Sequence, residues 1–143
     1  VSQEDYWQHH LRESEVAAWR GVAFEEVCLR HVKQIKQALQ IGAVSSTESA
    51  YVTKGDEKTE GMQIDLVIDR NDDVVNLCEI KFSKSPYVIS QAYASRLATR
   101  QETLEKSVRN KTFMLTYIGS SPLAENEYAD IFPCQLTSED LFA

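Results

Sequence analysis

The sequence predicts an α/β domain in which helices flank a mixed central sheet. Residues 14–40 contain no proline and a single glycine, Gly21, with apolar positions at helical spacing. Residues 62–69 and 74–82 form two apolar runs joined across Arg70-Asn71-Asp72-Asp73, the pattern of a hairpin. The run VVNLC is apolar with little alternation, which suits a strand only when both sheet faces are covered. The expected order is α-β-β-β-α-β followed by a smaller β-α tail.

Each element has a local reason. The first helix has Gly42 as a stop and either breaks or restarts near Gly21. Residues 43–52 alternate weakly and read as a first strand that ends in the charged, solvent-facing loop KGDEKTEG. After Ser85-Pro86, residues 87–107 place Ile89, Ala92, Tyr93, Leu97 and Leu104 on a second helix, with Pro86 beside its first turn. Residues 111–117 (KTFMLTY) form the next strand, and 119–122 turn. Residues 128–134 read as an edge strand interrupted by Pro133, and Thr137 or Ser138 caps a last turn through Leu141 and Phe142.

With 143 residues, 43% of them hydrophobic, the chain has the size of one domain with a core of its own, spanning 1–143. No stretch approaches the roughly 20 apolar residues of a membrane span, and the polar start VSQEDYWQHH is no secretion signal. Cys28, Cys78 and Cys134 are scattered in apolar contexts, as expected of free thiols in a reducing compartment; a cytoplasmic protein without membrane contact is the expectation. The missing initiator Met points to trimming or to a domain excised from a longer chain. A net charge of -7 argues against a non-specific polyanion binder, though not against a nuclease whose acids hold cations.

Glu79 and Lys81 stand out because they interrupt NLCEIKF, a run that otherwise reads as buried. Strand side chains alternate, so Val75, Leu77, Glu79 and Lys81 share one face, opposite Val74, Asn76, Cys78, Ile80 and Phe82. In the preceding strand Asp65, Val67 and Asp69 lie opposite Ile64, Leu66 and Ile68. A three-residue connection pairs Asp69 with Val75, Val67 with Leu77 and Asp65 with Glu79; a two-residue shift sets Asp65 against Lys81 instead. Two facing carboxylates call for a proton or a cation. Asp65, Glu79 and the backbone carbonyl of Ile80 are an oxygen set suited to Mg²⁺, with Mn²⁺ as substitute. Lys81 beside such an ion can orient a water and stabilise charge on a phosphoryl oxygen. An ordinary ion pair at a wet sheet margin accounts for the same residues.

A further acid comes from the first helix. On a helical wheel Glu25 falls inside the arc formed by Phe24, Cys28, Leu29, Val32, Ile35 and Leu39, while Glu26 falls outside it. Lys36 also lies in the arc, with a stem long enough to snorkel. Glu25 is therefore directed at the sheet, where Asp65 and Glu79 are candidate neighbours.

Together WRGVAFEEV, QIDLVIDR and NLCEIKF resemble the restriction-endonuclease-like superfamily, the PD-(D/E)xK nucleases. The resemblance is strongest to the nuclease-like domain that ends certain prokaryotic AAA-type ATP-binding proteins, whose close TSEDLF also resembles. It covers the chain from about Trp19 to Phe142 and implies an αβββαβ core and metal-dependent hydrolysis of DNA. It implies Asp65 and Glu79 as metal ligands, Lys81 as the active-site lysine, Glu25 as an auxiliary acid and Gln91 on the following helix as a polar helper. Ile64 stands where the family pattern often has proline. An ATPase module in the same or a partner chain is implied, as an alternative is a catalytically inactive DNA- or protein-binding appendage of that ATPase; monomer and homodimer both stay open.

Other chemistries lack a motif. His9, His10 and His31 have no partner at zinc spacing, no serine sits in a GxSxG elbow, and no phosphate-binding glycine loop is present. Tyr87, Tyr93 and Tyr117 read as core or interface residues rather than base-stacking platforms. Arg96, Arg100, Lys106, Arg109 and Lys111 are the best local basic set, with Arg96 and Arg100 four apart on one helix face.

Overall fold

The computed structural model describes residues 3–53 and 62–142. The loop KGDEKTEG and the side chains of His9 and His10 lie outside the described residues. Helix α1 (Gln3–Arg30) is followed by α2 (Val32–Ala38), strands β1 (Ser46–Thr53), β2 (Met62–Arg70) and β3 (Val74–Lys81), and helix α3 (Gln91–Ser107). Strand β4 (Thr112–Gly119), a 3₁₀ turn (Ala129–Ile131), β5 (Cys134–Thr137) and α4 (Ser138–Phe142) complete the chain. The sheet order is β1-β2-β3-β4-β5, antiparallel through β3 and parallel from β3 to β5. This is the mixed, helix-flanked α/β architecture expected.

The helices depart from expectation at their ends, where local capping contacts decide. α1 runs unbroken through Gly21, and the break falls at His31 instead (φ -120, ψ 36), whose Nδ1 lies 2.6 Å from the Val27 carbonyl. α2 is ended by Gln40 rather than Gly42. Gln40 takes φ 62, and the N–H groups of Gln40 and Ile41 return to the carbonyls of Gln37 (3.0 Å) and Lys36 (2.9 Å), closing the helix in a Schellman motif. α3 starts at Gln91, not at residue 87, because the Ser90 hydroxyl caps it by accepting from the Tyr93 N–H at 3.1 Å. Residues 87–90 stay outside the helix, and Tyr87 forms a bridge with Leu123. β5 begins after Pro133, and the residues before it form the 3₁₀ turn rather than a strand.

The core lies on both faces of the sheet. One cluster joins Cys28, Ile35, Ile41, Leu66, Ile68, Cys78, Ile80, Ile118, Leu136 and Leu141 beneath α1, α2 and α4. The other joins Val75, Leu77, Ile89, Leu97, Phe113, Leu115, Tyr117 and Phe132 beneath α3. This double coverage is why VVNLC carries apolar groups on successive residues. Leu29, inside the expected apolar arc, is 38% exposed, whereas Cys28 beside it on α1 is fully buried. Lys36 snorkels as expected, donating to the Val44 carbonyl at 2.7 Å. All three cysteines are free, and burial pushes the Cys28 thiol up to about 12 and the Cys78 thiol likewise upward. Among the described residues no helix is long and apolar enough to cross a membrane.

Two glycines should respond oppositely to a methyl group. At Gly21 a Cβ meets nothing within 4 Å, so Gly21→Ala is expected to raise stability by about 0.5–1 kcal/mol through helix propensity. At Gly119 a Cβ would overlap the hydroxyl of Tyr117, which is 1% exposed and donates to the Ser121 carbonyl at 2.6 Å. Gly119→Ala is expected to lower stability by about 2–3 kcal/mol, read from denaturant midpoints of both variants.

Candidate active site

The site begins with an irregularity in β2. Ser49 pairs with Val67 and Tyr51 with Ile64, so β2 carries one residue more than β1 across this interval. Such a bulge bends a strand and re-aims its side chains. Ile64 accordingly leaves the face of Leu66 and Ile68 and packs with Val75 and Leu77, contrary to strict alternation. The β2–β3 register is the one the three-residue loop implies, with Asp69 opposite Val75 and Val67 opposite Leu77, and the two-residue shift is not adopted. Asp73 supports that loop with φ 64, the left-handed residue such a connection uses.

The ladder reaches Leu66 opposite Cys78 and stops. Regular continuation would satisfy the Ile80 N–H with a β2 carbonyl. The Asp65 carboxylate replaces it, Oδ2 accepting from that N–H at 2.8 Å. In an extended strand a residue's N–H and C=O project to the same side, so the Ile80 carbonyl lies toward β2 as well. The contact shown to Asp65 is nevertheless made by the N–H. Asp65 Oδ1 is 3.5 Å from Gln63 Nε2.

Asp65, Glu79 and Lys81 line one cavity of about 240 Å³ with Gln63, Tyr93, Arg96 and Arg100. Glu79 is 5% exposed, and its Oε1 accepts from both the Tyr93 hydroxyl and Arg100 Nη1, each at 3.0 Å. Burial pushes the Glu79 carboxyl above its ordinary range; Asp65 pushes the same way, while Arg100, Tyr93 and Lys81 oppose it. The Tyr93 hydroxyl is raised by burial and by the adjacent Glu79 charge, so it stays protonated and serves as a donor. Lys81 Nζ lies 4.9 Å from the Tyr93 ring centroid and 5.9 Å from that of Tyr87. Among the described residues the ion pair of Glu79 is made with Arg100 and not with Lys81.

The walls are held from afar. Ser83 N–H donates to Ser120 Oγ at 2.8 Å, and Ser120 Oγ and Ser121 Oγ return to the Ser83 carbonyl at 2.9 and 2.8 Å. Tyr87 N–H donates to the Pro122 carbonyl at 2.9 Å, so the β3–α3 connection is stitched to the one after β4. Glu25 approaches from α1, where Phe24 packs on Phe82 with ring centroids 6.0 Å apart. Burial raises the Glu25 carboxyl, and Asp65 adds to the rise while Lys81 opposes it, which puts Glu25 in electrostatic contact with the cluster. Glu26 is exposed, as expected.

Gln91 is not brought to the site. It is exposed at the start of α3 and absent from the cavity lining. The helix offers Tyr93, Arg96 and Arg100 instead, at spacings that share one face. Tyr93 and the pairing of Arg100 with Glu79 escaped the sequence reading; their common spacing was the available signal. Among the described residues no group of three or more His, Cys, Asp or Glu is arranged to hold a metal. Asp65 and Glu79 are the carboxylates of the lining that would hold a divalent cation such as Mg²⁺, which keeps most of its waters and commonly takes one or two protein carboxylates. The described lining residues offer oxygen donors from Gln63, Asp65 and Glu79 beside the cations Lys81, Arg96 and Arg100.

No family model matches the chain, and no curated protein matches it. A solved structure described as "Crystal Structure of Protein of Unknown Function AF1548" is similar over 71% of this chain, at 17% identity and a TM-score of 0.48. The chain spans about half the length of that structure, 53% of it.

Proposed function

We propose that the domain hydrolyses phosphodiester bonds of DNA with a divalent cation, Mg²⁺ or Mn²⁺ in its place, held by Asp65 and Glu79. The observation that carries this reading is the convergence of Asp65, Glu79 and Lys81 from two neighbouring strands on one cavity. When bound, the ion supplies Lewis-acid polarisation of a phosphoryl oxygen and a more acidic water.

The residues divide the remaining work. Lys81 places a positive charge where negative charge develops on the phosphate, and the Tyr87 and Tyr93 rings hold its stem and head. Asp65 is locked by the Ile80 N–H, so its orientation is set before any ligand arrives. Glu25 supports the cluster as an auxiliary acid. Arg96 lies over the Tyr93 ring at 5.7 Å on the exposed side of α3, in reach of a backbone phosphate. An ATPase module in the same or a partner chain belongs to this proposal on the strength of the sequence resemblance.

The test is DNA cleavage by the domain with Mg²⁺ or Mn²⁺ against the same reaction in chelator. Cleavage confined to the metal-containing reaction supports the reading; cleavage that survives chelation removes it. The second reading, a catalytically inactive DNA- or protein-binding appendage of an ATPase, is favoured by the engagement of Glu79 with Arg100. Titration calorimetry with Mn²⁺ separates the two, because an inactive appendage with Glu79 committed to Arg100 takes up no ion.

A further inference from the structure

We propose that Arg100 is the resident counter-cation of Glu79 and that it couples cation binding to phosphate binding: an ion that takes Glu79 releases the Arg100 guanidinium to a phosphate of the DNA backbone. This rests on the hydrolytic reading above and identifies the group that has to move.

The geometry sets up a competition. Arg100 Nη1 lies 3.0 Å from Glu79 Oε1, the oxygen that also accepts from Tyr93, and the two charged side chains are only 19% and 6% exposed. A divalent cation on Glu79 would draw on the same negative charge and would repel the guanidinium across a partly buried, weakly screened gap. Among the described residues of the cavity lining, Lys81, Arg96 and Arg100 stand beside Asp65 and Glu79, with Glu25 in electrostatic contact from α1. A divalent ion raises the local positive charge further, and an anion is the partner that relieves it.

Arg100 is suited to the second role. It projects from the same face of α3 as Arg96, four residues earlier, and its planar fork matches a phosphate as well as it matches a carboxylate. Released from Glu79, it would join Arg96 and Lys81 in facing the anion. The net charge of -7 is then no obstacle to DNA binding, because the cations that matter are gathered at one mouth and one of them becomes available only with the ion.

The experiment is Mn²⁺ titration calorimetry at pH 8 on the wild-type domain, Arg100→Gln, Arg100→Lys and Asp65→Asn. Alongside it, anisotropy of a labelled DNA duplex with cleavage-resistant phosphorothioate linkages is read in saturating Mn²⁺. Arg100→Gln is expected to bind Mn²⁺ about tenfold more tightly, since a charge-assisted hydrogen bond no longer has to be displaced. The same variant is expected to bind the duplex about tenfold more weakly. Arg100→Lys, which keeps the charge without the fork, should lie between the two and serves if the glutamine variant does not fold.

A merely structural arginine would weaken both ligands or neither, so the opposed shifts are the signature. Unchanged or weaker Mn²⁺ binding in Arg100→Gln, with wild type binding and Asp65→Asn not, overturns the role of Arg100 and leaves the hydrolytic reading standing. Tighter Mn²⁺ binding with unchanged duplex binding overturns the coupling. Absence of Mn²⁺ binding in wild type overturns both readings together.

Discussion

Asp65→Asn is expected to reduce Mg²⁺-dependent DNA cleavage to background and to weaken Mn²⁺ binding by more than about 100-fold, while the domain stays folded. Changes one shell out from a metal already cost about 10–100-fold in affinity, and the proposed site loses one of its two charged ligands. Asparagine is the informative substitution because of what Asp65 does structurally. Its Oδ2 accepts from the Ile80 N–H where the β2–β3 ladder has stopped, and an amide oxygen can keep that bond without the charge. Asp65→Ala should lose cleavage too, but it leaves the N–H without its partner at a cost of about 1–3 kcal/mol. Calorimetry and a cleavage assay, with circular dichroism as the folding control, check the expectation. Wild-type cleavage in the asparagine variant would sink the assignment of Asp65.

Lys81→Met is expected to lower the single-turnover cleavage rate by about 10²–10³-fold while Mn²⁺ binds at least as tightly as in wild type. The two effects part because, in the proposed reaction, Lys81 contributes charge at the phosphate and no ligand to the ion; removing a cation from the lining eases the approach of another. Methionine preserves most of the apolar stem against Tyr93 and Tyr87, so the loss of cation–π attraction, about 0.5–1 kcal/mol, should leave the fold intact. A rate within a few-fold of wild type would show that Lys81 has no part in the reaction. Weaker Mn²⁺ binding would place its effect on the ion instead.

The legible parts of this molecule are those set by short-range periodicity. The three-residue connection at Asn71-Asp72-Asp73 fixes which residues of β2 and β3 oppose one another, and the pairs Asp69 with Val75 and Val67 with Leu77 follow from counting. The illegible parts depend on a third element. The bulge that turns Ile64 to the α3 face arises between β1 and β2, so the hairpin alone gives no sign of it. A start of α3 at residue 87 follows from Pro86 and from the spacing of Ile89 with Ala92 and Tyr93, yet the Tyr87 N–H is held by the Pro122 carbonyl and its carbonyl by the Ala124 N–H, far along the chain. Gln91 followed from resemblance alone, and the helix face that meets the cavity belongs to Tyr93, Arg96 and Arg100.

By itself the sequence determined the order of the elements and the fact that Glu79 and Lys81 look the same way, because a strand repeats every two residues whatever surrounds it. It likewise set the common face of Tyr93, Arg96 and Arg100, because a helix repeats in the same local manner. Only the tertiary structure decided that these two faces meet. The hydrogen bonds from Tyr93 and Arg100 to Glu79 span 14 and 21 residues of chain and exist because α3, the crossover between β3 and β4, packs over those two strands. Periodicity is written residue by residue, whereas the partner of a buried charge is settled by how separate elements pack.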